Sequence, residues 1–168
     1  MKRDSVVAIV GVLNGGQVRY LIVGGLAVVA HGYVRFTADV DLLLSTDAEN
    51  LARTVAALKS LGYRPRAPVD FDDFIDVSKR REWARDKNMT VFSVFSDVHQ
   101  ATEIDLFLES PIDFDAAYAR AVRQELSPGL AATFCSLDDL VELKTLSGRP
   151  EDREDIEKLN ALRRNRDE

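Results

Sequence analysis

One cysteine, Cys135, stands in a chain of 168 residues. A lone cysteine excludes an internal disulfide and a zinc site built on cysteines. Its neighbours in Thr133-Phe134-Cys135 are apolar enough to predict a buried, inert thiol. No apolar run approaches the roughly 18 residues that would suggest a membrane span. The basic start, Met1 to Asp4, is not followed by a signal-type apolar core with a small-residue cleavage site. No internal repeat or low-complexity segment is present. Positive charge is not in excess either: 22 Lys and Arg face 28 Asp and Glu, for a net charge of −6. That balance argues against a protein that coats nucleic acid. Two local basic clusters remain, Lys79, Arg80 and Arg81 with Arg85 and Lys87, and Arg163, Arg164 and Arg166. Both read first as solvated helix faces. These absences together predict a cytoplasmic protein with no membrane partner.

What is present suits a globular fold. Hydrophobic residues make up 46% and charged residues 30%, ordinary proportions for such a domain. The length is enough for one domain with a full core. Ser5–Leu13 is apolar with Asn14, Gly15 and Gly16 behind it, which predicts a helix ended by a turn. Tyr20–Val23 reads as a strand, Gly25–Ala30 as a helix packed close to a sheet, and Val40–Leu44 as a strand buried on both faces. Thr46 with Glu49 matches a capping box for a helix carrying Leu51, Val55 and Leu58 and ending at Gly62. Asp70–Lys87 reads as a loop and a helix.

Thr90–Phe95 and Thr102–Leu108 carry strand patterns around a turn-like Ser96–Gln100, so a hairpin is expected. A helix is expected to start at Pro111 and run through Ala116–Gln124, with Pro128-Gly129 as its breaker. Leu130–Phe134 reads as a short extended piece. Ser136 with Asp139 resembles another cap, for a helix over Leu137–Leu146 that stops at Gly148. Pro150 suits the first turn of a last helix carrying Ile156, Leu159 and Leu162. This order predicts an α/β (α+β) domain with a small mixed β-sheet flanked by helices.

The chemistry concentrates in a few places. Asp39 and Asp41 stand two apart at the head of an apolar run, so on a strand they share a face. Two like charges on a mostly buried strand repel and lose hydration. A divalent cation is the usual reason to keep them. Asp105 and Glu103 share a face of a later strand. If that strand lies beside the first, three acids converge on hard oxygen geometry suited to Mg²⁺, or to two such ions. Gly24-Gly25 closes a strand and opens a helix, where the backbone can approach a phosphate closely. His31, near a glycine turn, reads as a structural hydrogen-bonding residue.

The run from Gly24 to Asp41 resembles the signature of the nucleotidyltransferase superfamily, whose members share a polymerase-beta-like palm. More narrowly it is similar to the small bacterial branch that contains the AbiEii toxins of toxin–antitoxin and phage-defence systems. That branch carries a Gly-Gly, an Arg-x-Thr and an Asp-x-Asp at about this spacing, here Gly24-Gly25, Arg35 with Thr37, and Asp39 with Asp41. Lys144 through Ile156 also resembles its closing motif. The superfamily more often has Gly-Ser where Gly25 stands here, and the narrower branch tolerates the exchange.

The resemblance implies a single nucleotidyltransferase-like domain over 1–168, with a helical C-terminal part over about 136–168. It implies that a nucleoside monophosphate passes from a nucleoside triphosphate to a hydroxyl of an RNA (tRNA included) or protein acceptor, with an antitoxin chain as a further partner. Asp39, Asp41 and Asp105 would hold Mg²⁺, and Asp105 would accept the hydroxyl proton, with Glu103 able to substitute for it. Gly24 and Gly25 would contact triphosphate oxygens. Arg35 and Thr37 would position phosphate or order the loop before Asp39, and Lys144 would reach the triphosphate as a point charge. The large extra domain that many members use to hold their acceptor has no counterpart in this sequence. A second expectation is therefore a nucleotide-binding or regulatory module of the same fold that is inactive or needs a partner chain.

Overall fold

The computed structural model describes residues 1–166. The chain opens with helix α1 (Arg3–Gly15), which buries Val6, Ile9, Val10 and Leu13. That spacing of three and four residues places one apolar stripe on the core. Strand β1 (Tyr20–Val23) is buried throughout and turns directly into α2 (Gly24–Ala30). Strand β2 (Asp39–Leu44) follows, with Asp39 and Asp41 half-buried and Val40 and Leu42–Leu44 buried. Helix α3 (Ala48–Ser60) is capped by Asp47, whose carboxylate accepts from the Asn50 backbone N–H. The cap expected at Thr46 is thus one residue later. The Ser45 hydroxyl donates to Asp47 at 2.7 Å and orients it for the task.

A two-residue strand β3 (Arg64–Pro65), a single 3-10 turn (Phe71–Ile75) and α4 (Val77–Lys87) lead to the hairpin of β4 (Val91–Phe95) and β5 (Glu103–Phe107). Then come α5 (Phe114–Ala119), β6 (Val122–Ser127), β7 (Leu130–Phe134), α6 (Leu137–Ser147) and α7 (Asp152–Arg166). The long helix expected from Pro111 through Gln124 is a correction. Its first half is α5, and from Val122 the chain is a strand paired antiparallel with β7. Pro128-Gly129 forms the turn of that hairpin, with Gly129 at φ +77°, instead of breaking a helix. Pro150 likewise sits in the turn between α6 and α7, and α7 starts two residues later.

The seven strands make one mixed sheet in the order β3-β4-β5-β2-β1-β7-β6. Strands β2 and β5 run parallel with Asp39 opposite Glu103 and Asp41 opposite Asp105. Strand β4 lies antiparallel on the other side of β5 and sets Ser93 opposite Asp105. One face of these three strands carries Val40, Leu42, Phe92, Val94, Ile104 and Leu106, each 1% exposed or less. Period-two alternation sends Asp39, Asp41, Ser93, Glu103 and Asp105 to the opposite face. Helix α2 packs on β1 and β2, and α6 packs on α2.

The basic cluster on α4 is partly structural. Arg80 is 4% exposed, and its guanidinium donates to the Phe74 and Ile75 carbonyls at 2.6 and 2.9 Å. Arg163 of the second cluster pairs with Asp138 at 3.1 Å. Cys135 is buried, and burial pushes its thiol up to about 12. Among the described residues, no helix is long and apolar enough to cross a membrane.

Phe92 anchors β4 from behind. Its ring lies 5.1 Å from those of Phe74 and Trp83 and 5.9 Å from Phe71. Phe92→Ala is expected to lower stability by about 3–5 kcal/mol, read as a drop in urea midpoint.

Candidate active site

The acids on the open face of β2 and β5 are crowded by backbone register alone. Parallel neighbours lie about 4.8 Å apart between strands, so the paired positions Asp41 and Asp105 are held close whatever their rotamers. Asp41 is the more stressed. Burial first, then the charges of Asp105 and Asp39, raise its pKa from 3.8 to about 6, against weaker pulls from Arg149 and Lys144. Asp39 is also raised, by burial first and then by Asp105 and Glu103. Among the described residues, no cation stands within ion-pair distance of either carboxylate.

The remaining two acids of this face have partners. Ser93 donates its hydroxyl to Asp105 Oδ1 at 2.5 Å. Arg66 Nε donates to Glu103 Oε2 at 3.0 Å, and that bond holds the Glu103 carboxyl below its usual range. Glu103 is therefore tied to the sheet edge, which leaves Asp105 as the better third acid. Ser93 was not singled out by sequence reading; its place opposite Asp105 follows only from the hairpin register.

Gly24 and Gly25 are required by close approach. Gly24 has φ +64°, and a Cβ there would stand 2.0 Å from Asp41 Oδ2. The missing side chain is thus the space in which the Asp41 carboxylate sits. A Cβ on Gly25 would stand 2.6 Å from Thr37 Oγ1 and 3.8 Å from Arg35 Cζ. The segment from His31 to Ala38 therefore folds back over the glycine turn. Thr37 donates its hydroxyl to the Asp39 carbonyl at 3.4 Å. His31 Nε2 meets the Cys135 carbonyl at 2.9 Å, which anchors the start of this segment to the strand end beside β1.

Arg35 pairs with Asp155 of α7, and Tyr33 donates to Glu154 at 2.9 Å. Lys144 differs from its sequence-based role. Its ammonium is held between Asp152 Oδ1 and Asp155 Oδ2, both at 2.7 Å, with the side chain 8% exposed. Its charge is engaged inside the protein, because α7 folds back on α6 and brings two buried acids to it. Burial pushes the Asp152 carboxyl up, but hydrogen bonds from Lys144 and Ser147, with the charges of Lys144 and Arg149, together hold it below its usual range.

These groups line one cleft of about 920 Å³. Gly24, Gly25, Arg35, Thr37, Asp39, Asp41, Asp105 and Lys144 all border it, while Glu103, the substitute for Asp105, is not among its lining residues. Arg149, Phe36, Ser147 and Glu109 border it as well. The size suits a nucleotide-scale ligand. Among the described residues, no group of three His, Cys, Asp or Glu side chains stands in metal-holding geometry. The donor set itself, carboxylates without cationic partners, suits a hard cation, and taking one up would require the Asp39, Asp41 and Asp105 side chains to turn toward each other.

Residues 9–165 match the family model described as "Nucleotidyltransferase of unknown function (DUF6036)". Among curated proteins, none matches the sequence.

Without a cation, Asp41 costs folding free energy when ionised, because its folded pKa lies above the unfolded 3.8. The cost is absent below about pH 4, grows to about pH 6 and is constant above. Asp41→Asn should therefore be more stable than wild type at pH 7 by up to about 3 kcal/mol and equal to it near pH 3.5. Urea unfolding across pH in chelator-treated buffer measures this.

Proposed function

The chain belongs to this nucleotidyltransferase family, and from that premise we propose that it is a Mg²⁺-dependent enzyme that transfers a nucleoside monophosphate from a nucleoside triphosphate to a hydroxyl on RNA or protein. The observation that carries this reading is the crowding of Asp39, Asp41 and Asp105 without cationic partners beside a glycine turn that closes on Thr37 and Arg35. Mg²⁺ held by these carboxylates would neutralise phosphate charge and bring the reacting oxygens together.

The protein's own groups then have separate tasks. The Gly24-Gly25 backbone lets phosphate oxygens come close, as a Cβ would not. Thr37 and Arg35 cover that turn and set the wall against which the phosphates lie. The acceptor hydroxyl oxygen bonds to the α-phosphorus, the bond from that phosphorus to the bridging oxygen breaks, and pyrophosphate leaves with its electrons. Asp105 is the candidate to take the hydroxyl proton: Ser93 fixes one of its oxygens and leaves the other for the proton. Because catalysis of this kind is mostly positioning and charge neutralisation, loss of Asp39 and Asp41 should remove nearly all of it.

The AbiEii-like branch and an antitoxin partner rest on the resemblance carried by Gly24-Gly25, Arg35 with Thr37 and Asp39 with Asp41, and on the closing Lys144–Ile156 stretch. Its Lys144, Asp152 and Asp155 form one buried ionic joint, which is consistent with a shared structural motif and names no partner. A second reading, a nucleotide-binding module that needs another chain for activity, is favoured by one observation: the three carboxylates do not converge as they stand.

A transfer assay separates the two. Purified protein is incubated with Mg²⁺, cell RNA or protein, and each of four α-labelled triphosphates. Label is expected in a macromolecular product with one or more of them, and the Asp39→Asn, Asp41→Asn double variant should lose at least about a thousandfold of that rate. Tight triphosphate binding with no transfer would favour the second reading. Equal transfer by the double variant would remove the two-Asp site from the chemistry.

A further inference from the structure

The cleft borders three cations, Arg35, Lys144 and Arg149, and two of them are already engaged. Lys144 is pinned between Asp152 and Asp155. Arg35 pairs with the same Asp155, which is 4% exposed. Arg149 has no ion pair among the described residues, although it draws on the charges of Asp41 and Asp152. It is exposed at the turn between α6 and α7.

That turn is well fixed. Gly148 adopts φ +64° and its N–H bonds back to the Lys144 carbonyl at 3.2 Å, the usual way a helix ends on a left-handed residue. The Asp152 N–H then bonds to the Arg149 carbonyl at 3.1 Å. Beneath it, the Lys144–Asp152–Asp155 joint is buried and locks α7 onto α6. A breach of such a joint leaves a buried charge uncompensated, so the geometry is held firmly. The result is a hydrogen-bonded turn that sets, on the border of a cleft with three acids, an arginine that has no ion pair among the described residues. An arginine fork is the best side-chain match to phosphate oxygens.

Resting on the nucleotidyltransferase reading, we infer that Arg149 is the cation that grips the phosphates of the bound triphosphate, and that Lys144 is the internal pin that aims it. The closing segment Lys144–Asp155 is then one device: buried charges hold the turn and an exposed charge binds ligand. It also explains why a phosphate site can work in an acidic protein. Only one guanidinium needs to be left unneutralised, provided it stands opposite the acids that take the metal.

Titration calorimetry with the full chain tests this, using inorganic pyrophosphate and ATP with Mg²⁺, and Mn²⁺ alone as a probe of the acids. Arg149→Gln is expected to weaken both phosphate ligands by about 10- to 100-fold, to leave Mn²⁺ affinity within about twofold, and to flatten the salt dependence of binding. Arg149→Lys should recover part of the loss. Arg149 is exposed, so the melting temperature should stay unchanged. Unaltered pyrophosphate binding would overturn the inference. So would loss confined to ATP, equal loss of Mn²⁺, or a large fall in melting temperature, since each assigns Arg149 another role. If wild-type protein binds neither ATP nor pyrophosphate, the nucleotidyltransferase reading falls and this inference falls with it.

Discussion

The parallel pairing of β2 with β5 is the constraint on which the rest depends. It sets Asp41 against Asp105 and Asp39 against Glu103, and backbone hydrogen bonds leave no freedom to separate them. On a half-buried face the mutual repulsion of these acids is screened less than in water and is correspondingly costly. The surroundings manage this stress selectively. Ser93 takes Asp105 and Arg66 takes Glu103, while Gly24 only makes room for Asp41. Among the described residues, none forms an ion pair with Asp39 or Asp41. A fold optimised for stability alone would have placed an arginine there; a fold that binds a cation and its anionic ligand leaves the place open.

The second organising feature is the joint between α6, α7 and the segment that precedes β2. Lys144 and Arg35 meet Asp152 and Asp155 in a buried, nearly balanced set. Such a set contributes less to stability than its distances suggest, because desolvation offsets much of the attraction. Its value is geometric. It ties the last helix to the residues that fold over Gly25, so the phosphate wall and the closing helix form one body. Tyr33 with Glu154 adds a further tie at the same place.

Much of this was legible in the sequence, and the reasons differ by element. Asp39 and Asp41 stood out because charge at period two inside an apolar run has few structural explanations. The Gly24-Gly25 pair gained meaning only from its distance to them. Strand alternation puts Asp105 and Glu103 on one face, so it was the family resemblance that put Asp105 first, and the Arg66 partner of Glu103 adds a structural reason for that choice. Strand β6 was hidden because Val122–Ser127 is mostly polar and exposed; its strand character comes from pairing with β7, a long-range effect that local propensity does not carry. The buried pairing of Lys144 was out of reach for a related reason: the two carboxylates that meet it are delivered by another helix, α7.

The central idea is that the Asp41 charge waits for a cation that arrives with the triphosphate. The ¹³C carboxyl resonance of Asp41, followed by NMR as pH is varied, tests it most directly. Without metal the midpoint should lie near 6. With saturating Mg²⁺ and ATP it should fall by at least about two units, because a bound divalent cation favours the ionised form. A midpoint unmoved by Mg²⁺ and ATP would contradict the metal-site reading of the crowded acids.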